Sequence, residues 1–131
     1  MKRTTLLHSE LSALIARLGH GDMLVIGDAG LPIPDGPQRI DLALTANLPR
    51  FLDVLRVVLS EMQVETAVVA DELSDRNPEV AKGIAELLGA TPVSGMSHEN
   101  FKALSARARA IVRTGEFSPY ANVILRAGVV F

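Results

Sequence analysis

The chain has no cysteine and no tryptophan, and its aromatic residues, four Phe and one Tyr, make up only 4% of 131 positions. Without cysteine there is no disulfide frame, no thiolate nucleophile and no zinc-ribbon pattern. So few aromatic rings leave no stacking platform for nucleic acid. Nor is there an excess of one charge. Thirteen basic against fifteen acidic side chains give a formal net charge of −2, which supplies no electrostatic footprint for nucleic acid or for an anionic membrane. No apolar run is long enough for a signal-peptide core or a membrane span, so the expected location is the cytoplasm.

What is present is a stock of Leu, Val, Ile and Ala that brings the apolar fraction to 48%, the usual material of α/β packing. The length suits one domain over residues 1–131 and is enough to take roughly two-thirds of the unfolded surface out of water. A mean hydropathy of +0.27, with so little net charge, favours covering apolar surface in an oligomer.

Apolar spacing divides the chain into alternating elements. Ser9 and Glu10 open a helix whose Leu11, Leu14, Ile15 and Leu18 share one face, with Gly19 as its left-handed cap. Met23 to Ile26 is a short unbroken apolar run, as expected of a strand buried on both faces, and Arg39 to Ala43 reads as a half-buried or edge strand. Asn47 and Pro49 read as cap and first turn of a helix carrying Phe51, Leu52, Leu55, Val58, Leu59 and Met62. Thr66 to Asp71 is the next buried strand. Asn77, Pro78 and Glu79 open a further helix with Val80, Ile84, Leu87 and Leu88 on one face and Gly89 at its end. Pro92 to Ser94 suits an edge strand, and Ser97 caps a helix containing His98, Phe101, Lys102 and Leu104. Ala108 to Arg113, Asn122 to Leu125 and Val129 to Phe131 complete the set as strands. This order predicts an α/β fold, a three-layer sandwich with a mixed, partly parallel sheet and helices on both faces.

The chemistry is expected around residues 18–34, where one apolar strand has His20 before it and Asp28 after it. Open α/β sheets bind ligands beyond the C-terminal ends of their strands, and Gly30, Pro32 and Pro34 hold the following loop extended. His20, between two glycines, reads either as an acid/base group, since imidazole exchanges a proton near neutral pH, or as a polar residue after a helix end. Asp28 reads either as a hydrogen-bond acceptor for a hydroxyl or a histidine ring, or as an Asx turn. Asp22 reads as turn chemistry, and Asp71 and Glu72 as ordinary strand-end acids. His98 opens its helix, where the dipole opposes a positive ring. Lys102 follows on the same face, and the two either grip hydroxyl oxygens or form a solvated helix edge. Ser118, Pro119, Tyr120, Ala121 and Asn122 form the one polar-aromatic cluster, either a sugar-binding platform or a turn into a strand. His8 has nothing around it that points to a role. The three histidines lack metal-ligand spacing, and the Gly-rich stretch has neither the Walker lysine nor the dinucleotide fingerprint, so neither a metal nor a nucleotide cofactor is expected.

The motifs Leu18-Gly19-His20-Gly21-Asp22, Asp28-Ala29-Gly30-Leu31-Pro32-Ile33-Pro34, Asn77-Pro78, Ser97-His98-Glu99, Phe101-Lys102, Arg113-Thr114-Gly115-Glu116 and Ser118-Pro119-Tyr120-Ala121-Asn122 together resemble the D-ribose pyranase family, within a wider group that includes fucose mutarotases. The resemblance implies a cofactor-free isomerase that interconverts the β-pyranose and β-furanose forms of D-ribose and so feeds the furanose to phosphorylation. It implies His20 as proton donor and Asp28, His98, Lys102, Tyr120, Ala121 and Asn122 as sugar-binding residues, Ala121 through its backbone. It also implies a homodecamer of two pentameric rings with sites between neighbouring subunits. Two other readings use the same side chains: a non-catalytic sugar-binding or regulatory subunit of a transport system, and a mutarotase exchanging anomers of another sugar.

Overall fold

Met23–Gly27, buried along its whole length, forms β1, the strand from which the sheet grows in both directions. The structure, a computed structural model, describes residues 1–131. The elements in order are α1 (Ser9–Arg17), β1, β2 (Gln38–Asp41), α2 (Phe51–Leu59), β3 (Val64–Ala70), α3 (Leu73–Arg76), α4 (Pro78–Leu88), β4 (Val93–Met96), α5 (His98–Ser105), β5 (Ala110–Arg113) and β6 (Val123–Ala127). One six-stranded sheet takes the order β2-β5-β1-β6-β3-β4. β5 is parallel to both β1 and β2, β4 is parallel to β3, and β6 is antiparallel to its neighbours β1 and β3. The strands β1 to β5 therefore all point one way and β6 alone points back.

Alternation along the strands splits the core into two layers. Leu24 and Ile26 of β1 face the larger one, with Leu11 and Leu14 of α1, Phe51, Leu55 and Val58 of α2, and Val80, Ile84 and Leu88 of α4. Met23 and Val25 face the smaller one, closed by Phe101 of α5 with Ile111 and Ile124. Helices thus cover both faces, as expected of a three-layer α/β sandwich. The edge strands β2 and β4 are short and largely exposed, the usual way of blunting an open edge.

Several local expectations shift. His8, not Ser9, caps α1, its Nδ1 accepting from Leu11 N at 3.2 Å. The chain leaves that helix extended at Leu18, so the left-handed glycine is Gly21 (φ +83°) rather than Gly19. Asn47 does not cap α2, which begins after Arg50. Instead Asn47 takes φ +61° and its side-chain oxygen accepts from Phe117 N at 3.1 Å. The single-turn α3 carries too few residues for a periodic pattern to reveal. Val129 to Phe131 pair with no strand and stand exposed, because β6 ends at Ala127 where its neighbour β3 begins. The caps at Asn77 and Ser97 form as expected, accepting from Val80 N and Asn100 N.

Candidate functional site

Because five strands share one direction, their C-terminal ends gather at one sheet edge, and the reversed β6 delivers its N-terminal end there too. Asp28 leaves β1, Glu72 follows β3, His98 follows β4, Glu116 follows β5 and Asn122 precedes β6. Sequence-distant polar residues are brought together in this way, at the place where α/β sheets bind ligands.

Asp28 and Asn122 clasp each other across 94 residues of sequence. Asp28 N donates to Asn122 Oδ1 at 2.8 Å, and Asn122 Nδ2 donates to Asp28 Oδ2 at 3.0 Å. The other carboxylate oxygen, Oδ1, accepts from Gly30 N at 2.9 Å, so the expected Asx turn forms, while the remaining oxygen takes the Asn122 amide. Burial raises the Asp28 carboxyl above its usual value of 3.8, against the opposing pull of the Gly30 N–H, the Asn122 amide, the Leu31 N–H and nearby His98. The fit is close. A Cβ at Gly27 would lie 2.6 Å from Leu31 Cδ2 and 3.0 Å from Asn122 Oδ1, so glycine there leaves room for the clasp.

His98 stands on the first turn of α5. Its ring stacks on Phe101 (centroids 6.3 Å apart) and meets Tyr120 edge-on (5.1 Å, 88°). Its backbone N–H donates to both oxygens of Glu72, at 3.2 and 3.0 Å. Its Nδ1 is buried and has no hydrogen-bond partner, a state that native interiors rarely leave uncompensated. Tyr120 takes φ +57°, and Ala121 is wholly buried. Lys102, one turn along α5, is held 2.8 Å from Glu99. Glu99 sits below its usual range because of that hydrogen bond and charge.

A cleft of about 380 Å³ opens beside Asp28, walled by Ala29 and Gly30 on one side and by Glu116 to Pro119 on the other. No three His, Asp or Glu side chains converge as metal ligands, and no helix is long and apolar enough to cross a membrane.

His20 is elsewhere. It precedes β1, so it lies at the opposite sheet edge, separated from Asp28 by the five residues of β1, about 17 Å of strand. There its Nε2 is 3.0 Å from Glu65 Oε2, with side-chain exposures of 60% and 50%. The hollow of about 310 Å³ beside it is walled by Leu18, Gly19, Gln63, Ala127 and the C-terminal residues through Phe131. Asp22 is turn chemistry as expected, accepting from Gly19 N at 2.9 Å and from Arg109 Nε at 3.0 Å.

Glu72 and Glu116 carry more of this edge than their sequence context signals. Glu72 caps α5 from outside it, and so is not an ordinary strand-end acid. Glu116, 4% exposed, accepts from Phe51 N (3.1 Å) and from Ser118 Oγ (2.8 Å), with Arg50 at 3.7 Å. The local signal for Glu116 is a carboxylate between Gly115 and Phe117, too little to distinguish it from a surface loop.

Comparison with known proteins agrees with this architecture over the full length. D-ribose pyranases of Symbiobacterium thermophilum and Variovorax paradoxus are 61% and 62% identical to the chain, each match covering 100% of both proteins. The structure of Bacillus subtilis RbsD complexed with D-ribose superposes with a TM-score of 0.97 at 48% identity, covering 100% of both chains. The fucose mutarotase of Streptococcus pneumoniae in complex with L-fucose gives 0.86 at 26% identity, again over 100% of both. The sequence pattern of one family spans residues 1–130, and the chain belongs to that RbsD / FucU transport protein family.

Proposed function

We propose that this protein is a D-ribose pyranase, a cofactor-independent isomerase that interconverts the β-pyranose and β-furanose forms of D-ribose and supplies the furanose for phosphorylation. The observation that carries the reading is the sheet edge itself. An ionisable acceptor (Asp28), an amide locked to it (Asn122), a buried imidazole nitrogen without a partner (His98) and a phenol (Tyr120) converge there. The chain also matches D-ribose pyranases and ribose-bound RbsD end to end.

Changing ring size requires breaking the bond from the anomeric carbon to the ring oxygen. A base removes the anomeric hydroxyl proton as the carbonyl forms, and an acid protonates the departing oxygen. The open aldehyde then turns, and a different hydroxyl closes on the same carbon with the proton transfers reversed. Two positioned polar groups are enough, and such help is worth about 10²–10⁴ in rate. Asp28, His98, Tyr120 and Asn122 hold the sugar, with Ala121 contributing main chain and Lys102 a donor once it leaves Glu99. His20 is the proton donor, and since it lies at the far edge of its own sheet, the His20 that serves a site comes from a neighbouring copy. Both edges carry uncovered apolar side chains, Leu44, Leu48 and Phe117 at one and Val130 and Phe131 at the other, as edge-to-edge assembly requires. The assembly is a homodecamer of two pentameric rings in the cytoplasm, and each chain acts as one domain.

The test is saturation-transfer NMR of D-ribose, following exchange between pyranose and furanose signals with and without protein. His20→Ala is expected to slow that exchange by about 10²–10⁴ while ribose still binds. Exchange at the parent rate in this variant removes His20 from its role. A protein that binds ribose without accelerating ring exchange is the sugar-binding subunit instead, and one that accelerates only anomer exchange, tested with ribose and fucose, is a mutarotase.

A further inference from the structure

Asn77 is a buried side chain that ties the start of α4 to the Tyr120 turn. It is 8% exposed, and its amide is fully engaged. Oδ1 accepts from Val80 N at 3.4 Å, capping α4. Nδ2 donates to Ser118 Oγ at 2.9 Å and to Pro119 O at 2.8 Å. Ser118 Oγ passes its own proton to Glu116 Oε2 at 2.8 Å, so the serine is fixed as an acceptor toward Asn77. The two residues gripped by the amide are those immediately before Tyr120.

Tyr120 needs that grip. It is a non-glycine residue at φ +57°, a conformation that persists only where the surroundings hold it. With the turn so held, the Tyr120 ring stands edge-on to His98, and its carbonyl accepts from Asn122 N at 2.8 Å, one step from the Asp28 clasp. We infer that Asn77 is a positioning residue for sugar recognition, in which the Nδ2 protons set the Tyr120 turn while Oδ1 independently caps α4. The sugar part of this inference rests on the assignment of Tyr120 to the ribose site.

The two halves of the amide are separable. Aspartate is as good a helix cap as asparagine, so Asn77→Asp keeps the acceptor for Val80 N, but it donates nothing and sets a carboxylate oxygen against the Pro119 carbonyl. Tyr120 is the only tyrosine, so its ring resonances report the turn directly in the unliganded protein. For Asn77→Asp the expected result is a folded protein with a lowered melting temperature, since the Pro119 carbonyl loses its donor, Tyr120 ring signals moved away from their parent positions, and ribose affinity lower by about tenfold, the scale of one lost hydrogen bond. Ser118→Ala, which leaves the α4 cap and the Pro119 contact in place, moves the same signals in the same direction by less, and it carries the test if Asn77→Asp does not fold. Unmoved Tyr120 signals in a folded variant overturn the positioning role. Signals that move while ribose affinity stays at the parent value uphold the positioning role and remove Tyr120 from the sugar site instead.

Discussion

Asp28 divides its work between its two oxygens, one spent on its own turn and one on Asn122. Since burial lifts its folded value above the unfolded 3.8, ionised Asp28 costs the fold a little at neutral pH, and that cost is recovered as the pH falls through the raised value. On the proposed role of ionised Asp28 as an acceptor for ribose, affinity is expected to decline on acidification at a pH above 3.8, while Asp28→Ala binds weakly throughout. Calorimetric titrations across the acid range check both. Asp22 behaves oppositely. The Gly19 N–H and Arg109 hold it below 3.8, so its contribution is present above that value and is lost only as the pH drops through its depressed one. Asn122→Ala leaves the Asp28 N–H without an acceptor, which is expected to cost about 1–3 kcal/mol of stability and to weaken ribose binding about tenfold or more, measured by thermal melts and titration. Glu72 and Glu116 were not legible because their partners lie 26 and 65 residues away. A carboxylate whose purpose is a distant N–H looks, in sequence, like any other exposed acid. Gly27 hides for a similar reason, since the atoms that forbid a Cβ there belong to Leu31 and Asn122.

The helix α5 carries His98 and Lys102, yet it reaches the core through few side chains, with Phe101 wholly buried beneath it. Phe101→Ala is expected to cost about 3–5 kcal/mol and to free the His98 ring from its stacking partner, so chemical denaturation and the His98 resonances should change together. A variant that melts as the parent does would mean that the smaller core layer does not hold α5. Elements whose caps are local were readable: Asn77 with Pro78 announces α4, and Ser97 announces α5. Two starts were misread: α1 takes an imidazole, an unusual capping group, from His8 three residues before Leu11, and the Asn47 side chain goes to the distant Phe117 rather than to α2. Burial of β1 on both faces was plain from its unbroken apolar run, because no alternation was there to suggest a wet side.

At the scale of the whole molecule, the sheet keeps His20 with Glu65 at one edge and Asp28 with Asn122 at the other. The sequence placed both beside one strand but carries no sign of which side of an assembly meets which. If neighbouring copies share each site, mixing inactive His20→Ala with inactive Asp28→Ala subunits restores ring exchange. With random assembly from equal amounts of the two, about a quarter of the sites combine an intact Asp28 with a neighbour's intact His20. Mixtures as inactive as their components would confine each site to one chain.

The interior position of β6 has a consequence for biosynthesis. It joins the β2-β5-β1 block to the β3-β4 block, yet it leaves the ribosome after the other five. Until it arrives, β1 and β3 expose unsatisfied flanks of the kind that recruit foreign strands, and the two blocks have no seam between them. A stalled product lacking residues 123–127 is therefore expected to be a sticky pair of fragments rather than a smaller protein. A free peptide of that stretch, added in trans, is the natural competitor for the gap.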